Sequence, residues 1–314
     1  AQLDLLPALK VRAFSSSKRG WRHGSPSGIS SSAIFSFMKF IKVFALLVLT
    51  TASLAAAEIK VATLNAFLFF DPSIDHPGKV DDENRLAPED YRRKTANLSK
   101  LIDGYEVVGL QETGGRSEIE ALAKTAGLEW AYAKGRDTFT GQEVGLLHRL
   151  PGWKIVNKGR VGALDRVVSK HLYVTATKDR ETVHFLVVHL IRPIGKNVEK
   201  NGAQRDAIGA WVAEILRLNP EHSVVVLGDF NIADKGSETS LIGVGKEIGL
   251  LNGFAGTHLA RKPFDRMILA GRGHWISAEI RQPPYGNKPN DLNKRLWSDH
   301  FLLGGVMSTD PARY

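Results

Sequence analysis

Four short segments of this chain each close an apolar run with residues that hold cations or move protons. Asn65 follows Ile59-Lys60-Val61-Ala62-Thr63-Leu64, and Glu112 follows Val107-Val108-Gly109-Leu110-Gln111. Gly228-Asp229-Phe230-Asn231 follows Val224-Val225-Val226-Leu227, and Trp297-Ser298-Asp299-His300 runs into Phe301-Leu302-Leu303. His189 closes a fifth apolar run after Val187-Val188. Strands that finish at one edge of a sheet deliver their last side chains to a common cleft. Asn, Glu and Asp oxygens gathered there suit a hard divalent cation, with histidine beside it for acid and base work. Taken singly, each segment has a blander explanation. A strand-end glutamate is usually solvated, an Asp-Phe-Asn usually an Asx turn, and a histidine ending an apolar strand usually a satisfied core residue. All of them in one chain form a specific signal.

The elements that position these residues follow from the hydrophobic pattern. Strands are expected at 59–64, 106–110, 143–148, 153–157, 171–177, 183–190, 223–228, 265–269, 274–280 and 300–306. Val187-Val188 and Val224-Val225-Val226 are unbroken apolar runs, as in strands buried on both faces. Amphipathic helices are expected at 91–102, 117–126 and 202–218, the first with Leu98, Leu101 and Ile102 inward and Arg92, Arg93, Lys94 and Lys100 elsewhere. Two packed sheets with helices outside accommodate this order. The polar stretches 71–90, 191–203 and 281–296 are too long for tight turns and are expected to form the cleft's rim.

At 314 residues and 43% hydrophobic, the chain can bury a sizeable core, and no linker or repeat interrupts it after Glu58. There are no cysteines, which excludes a disulfide framework, a thiolate zinc site and a cysteine nucleophile. Met38-Lys39-Phe40-Ile41-Lys42, the apolar run 43–49 and Ala55-Ala56-Ala57 before Glu58 have the order of a cleaved signal peptide, 38–57. The apolar run is far shorter than the roughly 20 residues that span a bilayer. Residues 1–37 are Ser-rich, basic and acid-poor, as in a transit peptide or in sequence upstream of the native start; the signal sequence opening at Met38 favours the second. The expected location is secreted or periplasmic. Seven of the 42 Lys and Arg and one of the 33 Asp and Glu fall in residues 1–57, so the formal charge of +9 shrinks to about +3 beyond them. Bulk charge therefore argues only weakly for a polyanionic partner.

The motif set resembles the endonuclease/exonuclease/phosphatase superfamily, the deoxyribonuclease I-like proteins, across residues 58–314. Gly-Asp-Phe-Asn and Ser-Asp-His are its most diagnostic parts. The resemblance implies an α/β (α+β) fold, a four-layered αββα sandwich of two mixed β-sheets, and divalent-metal hydrolysis of phosphate esters. It implies metal ligation by Glu112 with Asn65 and Asp299, the cation being Mg²⁺ or Mn²⁺, with Ca²⁺ also suited to oxygen donors. It further implies His189, Asp229, Asn231, Asp265 and His300 as catalytic residues. Asp229 deprotonates the attacking water, Asn231 places the phosphate, and Asp265 orients His300. Paired with Arg266, Asp265 would instead be structural. A histidine at 189 marks the nuclease, sphingomyelinase and inositol-phosphatase branches and not abasic-site repair nucleases. The family's phosphate-contacting Arg has no clear counterpart, and Lys170 and Arg166 both remain candidates.

Three function classes follow. An exported nuclease acting on DNA or RNA ranks first, with Lys196, Lys200, Lys288, Lys294 and Arg295 as candidate rim charges. An inositol-phosphate phosphatase or sphingomyelinase-type phosphodiesterase is the alternative, and a phospholipid-active enzyme would expose aromatics such as Phe67, Phe69 and Phe70. A non-catalytic binding module fits poorly, because every metal and proton-handling position is filled. No protein partner is implied, and the expected state is a monomer.

Overall fold

Unbroken valine and leucine runs make the central strands of this molecule. The computed structural model describes residues 57–74, 86–136, 142–233, 245–248, 251, 253, 255–285 and 290–310, all within the unit Ala56–Tyr314. The expected leader up to Ala56 lies outside the described residues, as does the segment before it. In chain order the elements are β1 (Glu58–Phe69), α1 (Pro88–Leu101), β2 (Val107–Thr113), α2 (Arg116–Ala126), β3 (Glu129–Tyr132), β4 (Glu143–His148), β5 (Lys154–Gly159), β6 (His171–Lys178) and β7 (Glu181–His189). Then follow α3 (Asn197–Leu218), β8 (Ser223–Asp229), β9 (Lys246–Glu247), β10 (Asp265–Gly271), β11 (His274–Arg281), α4 (Asp291–Leu296) and β12 (Leu302–Ser308).

The strands form two six-stranded mixed sheets, ordered β11-β12-β1-β2-β4-β3 and β5-β6-β7-β8-β10-β9. Each has one parallel pair at its centre, β1 with β2 and β7 with β8. Val61, Val107, Leu146, Phe185, Val187, Val225, Leu227 and Met267 fill the space between the sheets. On the first sheet's outer face Tyr91, Leu98 and Leu101 of α1 and Ile119 and Leu122 of α2 cover Leu64, Val108 and Leu110. On the second sheet's outer face Ile208 and Val212 of α3 cover Val188, Val224 and Val226. This is the expected αββα sandwich. Each such aliphatic side chain contributes about 1.5–3 kcal/mol when fully buried. Among the described residues no helix is long and apolar enough to cross a membrane.

All ten expected strands are present. Two short ones, β3 and β9, were not anticipated, and part of the expected rim is helix, since α3 starts at Asn197 and α4 occupies Asp291–Leu296. The α4 start follows from Asn290, whose side chain accepts the Asn293 N–H at 2.8 Å as an N-cap. Lys94, expected on the solvated side of α1, is 1% exposed.

One glycine decides how close the sheet brings its chemistry together. Gly228 has φ +147°, and a Cβ there would lie 1.9 Å from the Val188 carbonyl oxygen. Only glycine lets β8 run this close to β7. The result is that Asp229 is the register partner of His189.

Candidate active site

The ends of β1, β2, β7 and β8 and the starts of β10 and β12 meet at one edge of the sandwich. A cleft of about 690 Å³ opens there, with Glu112, His189, Asp229, Asn231, Asp299 and His300 in its wall. Asn65 and Asp265 stand directly behind, each hydrogen-bonded to a wall residue. The structure thus brings all eight sequence-selected residues to one place.

Asn65 is the hub. Its Nδ2 donates to Glu112 Oε1 at 3.1 Å and to Asp229 Oδ2 at 3.0 Å, while its Oδ1 accepts the Phe67 N–H at 2.9 Å. The amide therefore turns its hydrogens, not its oxygen, to the carboxylates and orients both. Phe67 and Leu68 follow with φ of 47° and 52°, a bulge where the β1–β2 register shifts. Left-handed non-glycine residues of this kind cost about 1–3 kcal/mol each and cluster at functional sites. The bulge aims the Leu68 N–H at Glu112 Oε2, 3.3 Å away. Glu112 itself has φ 56°, as does Asn231.

Asp229 receives the Asn231 N–H on Oδ1 at 2.7 Å, so the Asx turn of the bland reading is present inside the site. Asn231 also donates from Nδ2 to the Leu190 carbonyl at 2.9 Å. Both His189 Nε2 and His300 Nε2 approach Asp229 Oδ2, at 3.7 and 3.9 Å. Asp265 does not pair with Arg266, which pairs instead with Glu247 at 2.7 Å. It accepts from His300 Nδ1 at 2.7 Å, fixing that ring's tautomer and leaving Nε2 toward the cleft. Adjacent residues of an extended strand point to opposite faces, and Asp299 and His300 both reach the cleft because a bend precedes β12. There Ser298 Oγ accepts the His300 N–H at 2.9 Å and donates to the Asn65 carbonyl at 2.7 Å.

The two imidazoles are driven in opposite directions. Burial keeps His189 well below its usual range, and the positive charges of Lys170 and His300 add to this. Burial also opposes a charge on His300, but Asp265, by charge and hydrogen bond, together with Asp229 and Asp299, raises it to about 10. Burial raises Asp229, against the pull of the His300 cation and with the support of Asp265. For Asp299, burial pushes upward, but the His258 hydrogen bond and the two imidazoles hold it below the ordinary carboxylate value. Groups with such divergent shifts divide naturally into acid and base.

Sequence reasoning missed His258. Its Nδ1 accepts the Ala260 N–H at 2.8 Å, so the ring's proton sits on Nε2, which lies 3.3 Å from Asp299 Oδ2. That nitrogen is a donor to Asp299 and not a free ligand. The ring also packs edge-on against His300, centroids 4.7 Å apart. No motif flags it; only the isolated bridge between His258 and His300 brings it here.

Lys170 and Arg166 differ in position. Lys170 is buried in the cleft wall, whereas Arg166 is exposed and does not line it. The other lining cations are Arg192 and Lys262, and not the expected Lys196, Lys200 or Lys294. Lys288 lies outside the described residues. Phe69 and Phe70 are buried, and Phe67 lines the cleft, so the aromatic cluster forms no projecting hairpin.

Whether a divalent cation suits these residues is tested by Asp299 Oδ1, which is buried with no hydrogen-bond partner. His300 Nε2 lies 4.0 Å from it, beyond hydrogen-bond reach, so this buried carboxylate oxygen has room to accept a further cation. Glu112 supplies a second carboxylate in the same cleft, and hard oxygens of this kind suit a divalent cation; Glu112, His189 and Asp229 offer ligand atoms within 4.8 Å of one another, as do His258, Asp299 and His300.

The family follows from the fold and from a direct match. The chain belongs to the endonuclease/exonuclease/phosphatase family, whose model matches residues 62–306, and it is a phosphoesterase of that superfamily. Enzymes of this superfamily generally use divalent metals. Among solved structures, TDP2 from C. elegans is similar with a TM-score of 0.58 at 15% identity, over 80% of this chain and 75% of that one. D. rerio TDP2 complexed with single strand DNA product gives 0.57 at 16% identity, over 80% and 99%. A Bacteroides thetaiotaomicron endonuclease/exonuclease/phosphatase family protein gives 0.56 at 13%, over 81% and 99%. At these identities the likeness shows a shared fold and no more. A search of curated proteins finds no match.

Proposed function

We propose that this phosphoesterase is an exported, divalent-metal-dependent nuclease that hydrolyses phosphodiester bonds in DNA or RNA. The observation that carries the reading is the pair of oppositely tuned imidazoles, His300 and His189, both within 4 Å of Asp229 Oδ2. They face a cleft whose wall also holds Lys170, Arg192 and Lys262 for phosphates and Phe67 and Phe264 for base faces. The D. rerio TDP2 structure, which holds a single-strand DNA product, supports the same substrate class. Burial of Phe69 and Phe70 counts against a membrane-active lipase.

The reaction forms one P–O bond, from water, and breaks another, to the leaving oxygen. The water's proton passes to Asp229, whose raised pKa suits a base working near neutral pH. His300, kept protonated by Asp265, gives its Nε2 proton to the leaving oxygen. Neutral His189 and the Asn231 amide place and stabilise the non-bridging oxygens. Asn65 fixes Glu112 and Asp229 relative to one another through its two amide hydrogens. Glu112 and Asp299 would hold Mg²⁺ or Mn²⁺, which would supply charge neutralisation at the phosphoryl group.

Incubation of the protein with plasmid DNA, RNA, sphingomyelin and inositol phosphates in Mg²⁺ tests the reading. Cleavage of DNA or RNA is expected, with complete loss in excess chelator and a raised Mg²⁺ requirement in Glu112→Gln. Turnover confined to sphingomyelin or inositol phosphates removes the nuclease assignment, and full activity in chelator removes the metal.

Export rests on the Met38–Lys42 start, the apolar run and the alanines before Glu58. Mass spectrometry of protein recovered from its host is expected to find an N-terminus at or near Glu58. A mature chain that retains residues 38–57 would contradict it.

A further inference from the structure

The mechanism above gives no task to Lys94, a buried amine whose pKa burial lowers to about 7 against the pull of Asp299 and Glu112. Lys94 lies on the inner face of α1, 1% exposed, and its Nζ donates to the Phe67 carbonyl at 2.5 Å. The ammonium also sits 5.6 Å from the centre of the Phe67 ring. Burying an ammonium is costly, and a helix that needed only packing here would carry leucine. What Lys94 grips is the left-handed bulge at Phe67 and Leu68. The bulge's two amides are the ones that reach the site, Phe67 N–H to Asn65 Oδ1 at 2.9 Å and Leu68 N–H to Glu112 Oε2 at 3.3 Å. Those two hydrogen bonds and the Lys94 contact together hold the bulge.

We propose that Lys94 is a positioning residue that locks the Phe67–Leu68 bulge and thereby sets the Glu112 carboxylate, directly and through the Asn65 amide, for the divalent cation. The inference rests on the metal-dependent reading of the site. It acts through the backbone: Lys94 to the Phe67 carbonyl, the bulge to Asn65 and Glu112, and Glu112, which Asn65 Nδ2 also orients, to the cation.

Calorimetric titration of Mg²⁺ into the full chain tests it without recourse to turnover. In Lys94→Met the circular dichroism spectrum is expected to stay native while Mg²⁺ affinity falls by about tenfold or more, the usual scale for residues that support a metal ligand. Glycine adopts φ near +47° without steric cost, so Phe67→Gly added to Lys94→Met is expected to recover affinity relative to the single variant. If Lys94→Met does not fold, a folded double variant with near-native Mg²⁺ affinity supports the proposal equally. A folded Lys94→Met with native affinity overturns it, as does a folded double variant no better than a folded single. Failure of both variants to fold assigns Lys94 to core stability and also overturns it. If the unaltered protein binds no Mg²⁺, the metal-dependent reading itself falls, and this inference with it.

Discussion

His300→Ala is expected to lower turnover by about 10²-fold or more on every phosphoester the protein accepts, the scale of a lost proton donor. The expectation follows from how the ring is held. Asp265 fixes Nδ1 at 2.7 Å, and the Ser298 hydroxyl holds the backbone N–H at 2.9 Å, so Nε2 has one direction available. Asp265→Asn is expected to do similar damage while leaving the imidazole in place. It would also move the alkaline limb of the pH–rate profile to lower pH, because Asp265 is what raises His300. The sign for stability follows from the same shift. A histidine raised on folding contributes stability that is complete below its ordinary value of about 6.5 and is lost as pH rises through the folded value. Thermal melts from pH 6 upward should therefore decline less steeply in Asp265→Asn than in the unaltered protein. Near-native turnover of a folded His300→Ala would reduce this ring to a satisfied core residue.

Asp229→Asn is expected to cost on the order of 10³-fold in single-turnover rate at saturating Mg²⁺, within the range for removal of a positioned base. Both carboxylate oxygens are engaged as acceptors, Oδ1 from the Asn231 N–H and Oδ2 from Asn65 Nδ2. The amide cannot accept at both positions, so one donor will face another. Two effects thus add: the base is lost, and the hub Asn65 loses a partner. The acid limb of the kcat/KM profile, which Asp229 sets through its raised pKa, should disappear in the variant. A folded variant that retains both the rate and the acid limb would remove Asp229 from the base role.

The sequence made the fold legible because buried strands need long apolar runs, and β7 and β8 have them. It located the site because each of those runs ends in a residue that a core would not choose. It failed where the cause is tertiary. Strand β9 is two residues long and exists only as a partner of β10. Nothing in the types of Asn65 and Phe67 announces that the amide will face carboxylates, since that depends on a bulge. His258 reaches the site by a bridge from a loop. Lys94 is different, because its spacing from Tyr91, Leu98 and Leu101 already placed it on the apolar face of α1. Its charge hid a position that periodicity alone marks as inward.

The bend that carries Ser298, Asp299 and His300 joins the two sheets chemically as well as structurally. Ser298 bonds to Asn65 on one sheet and His300 to Asp265 on the other, and the following strand, β12, pairs with β1 from Glu58 to Thr63. A ribosome that has reached residue 290 has made Asn65, Glu112, His189, Asp229 and Asp265, but no proton donor at 300 and no carboxylate at 299. The growing polypeptide is therefore an incomplete catalyst through most of its synthesis. The cleft is complete only after the last strand, β12, has docked against β1.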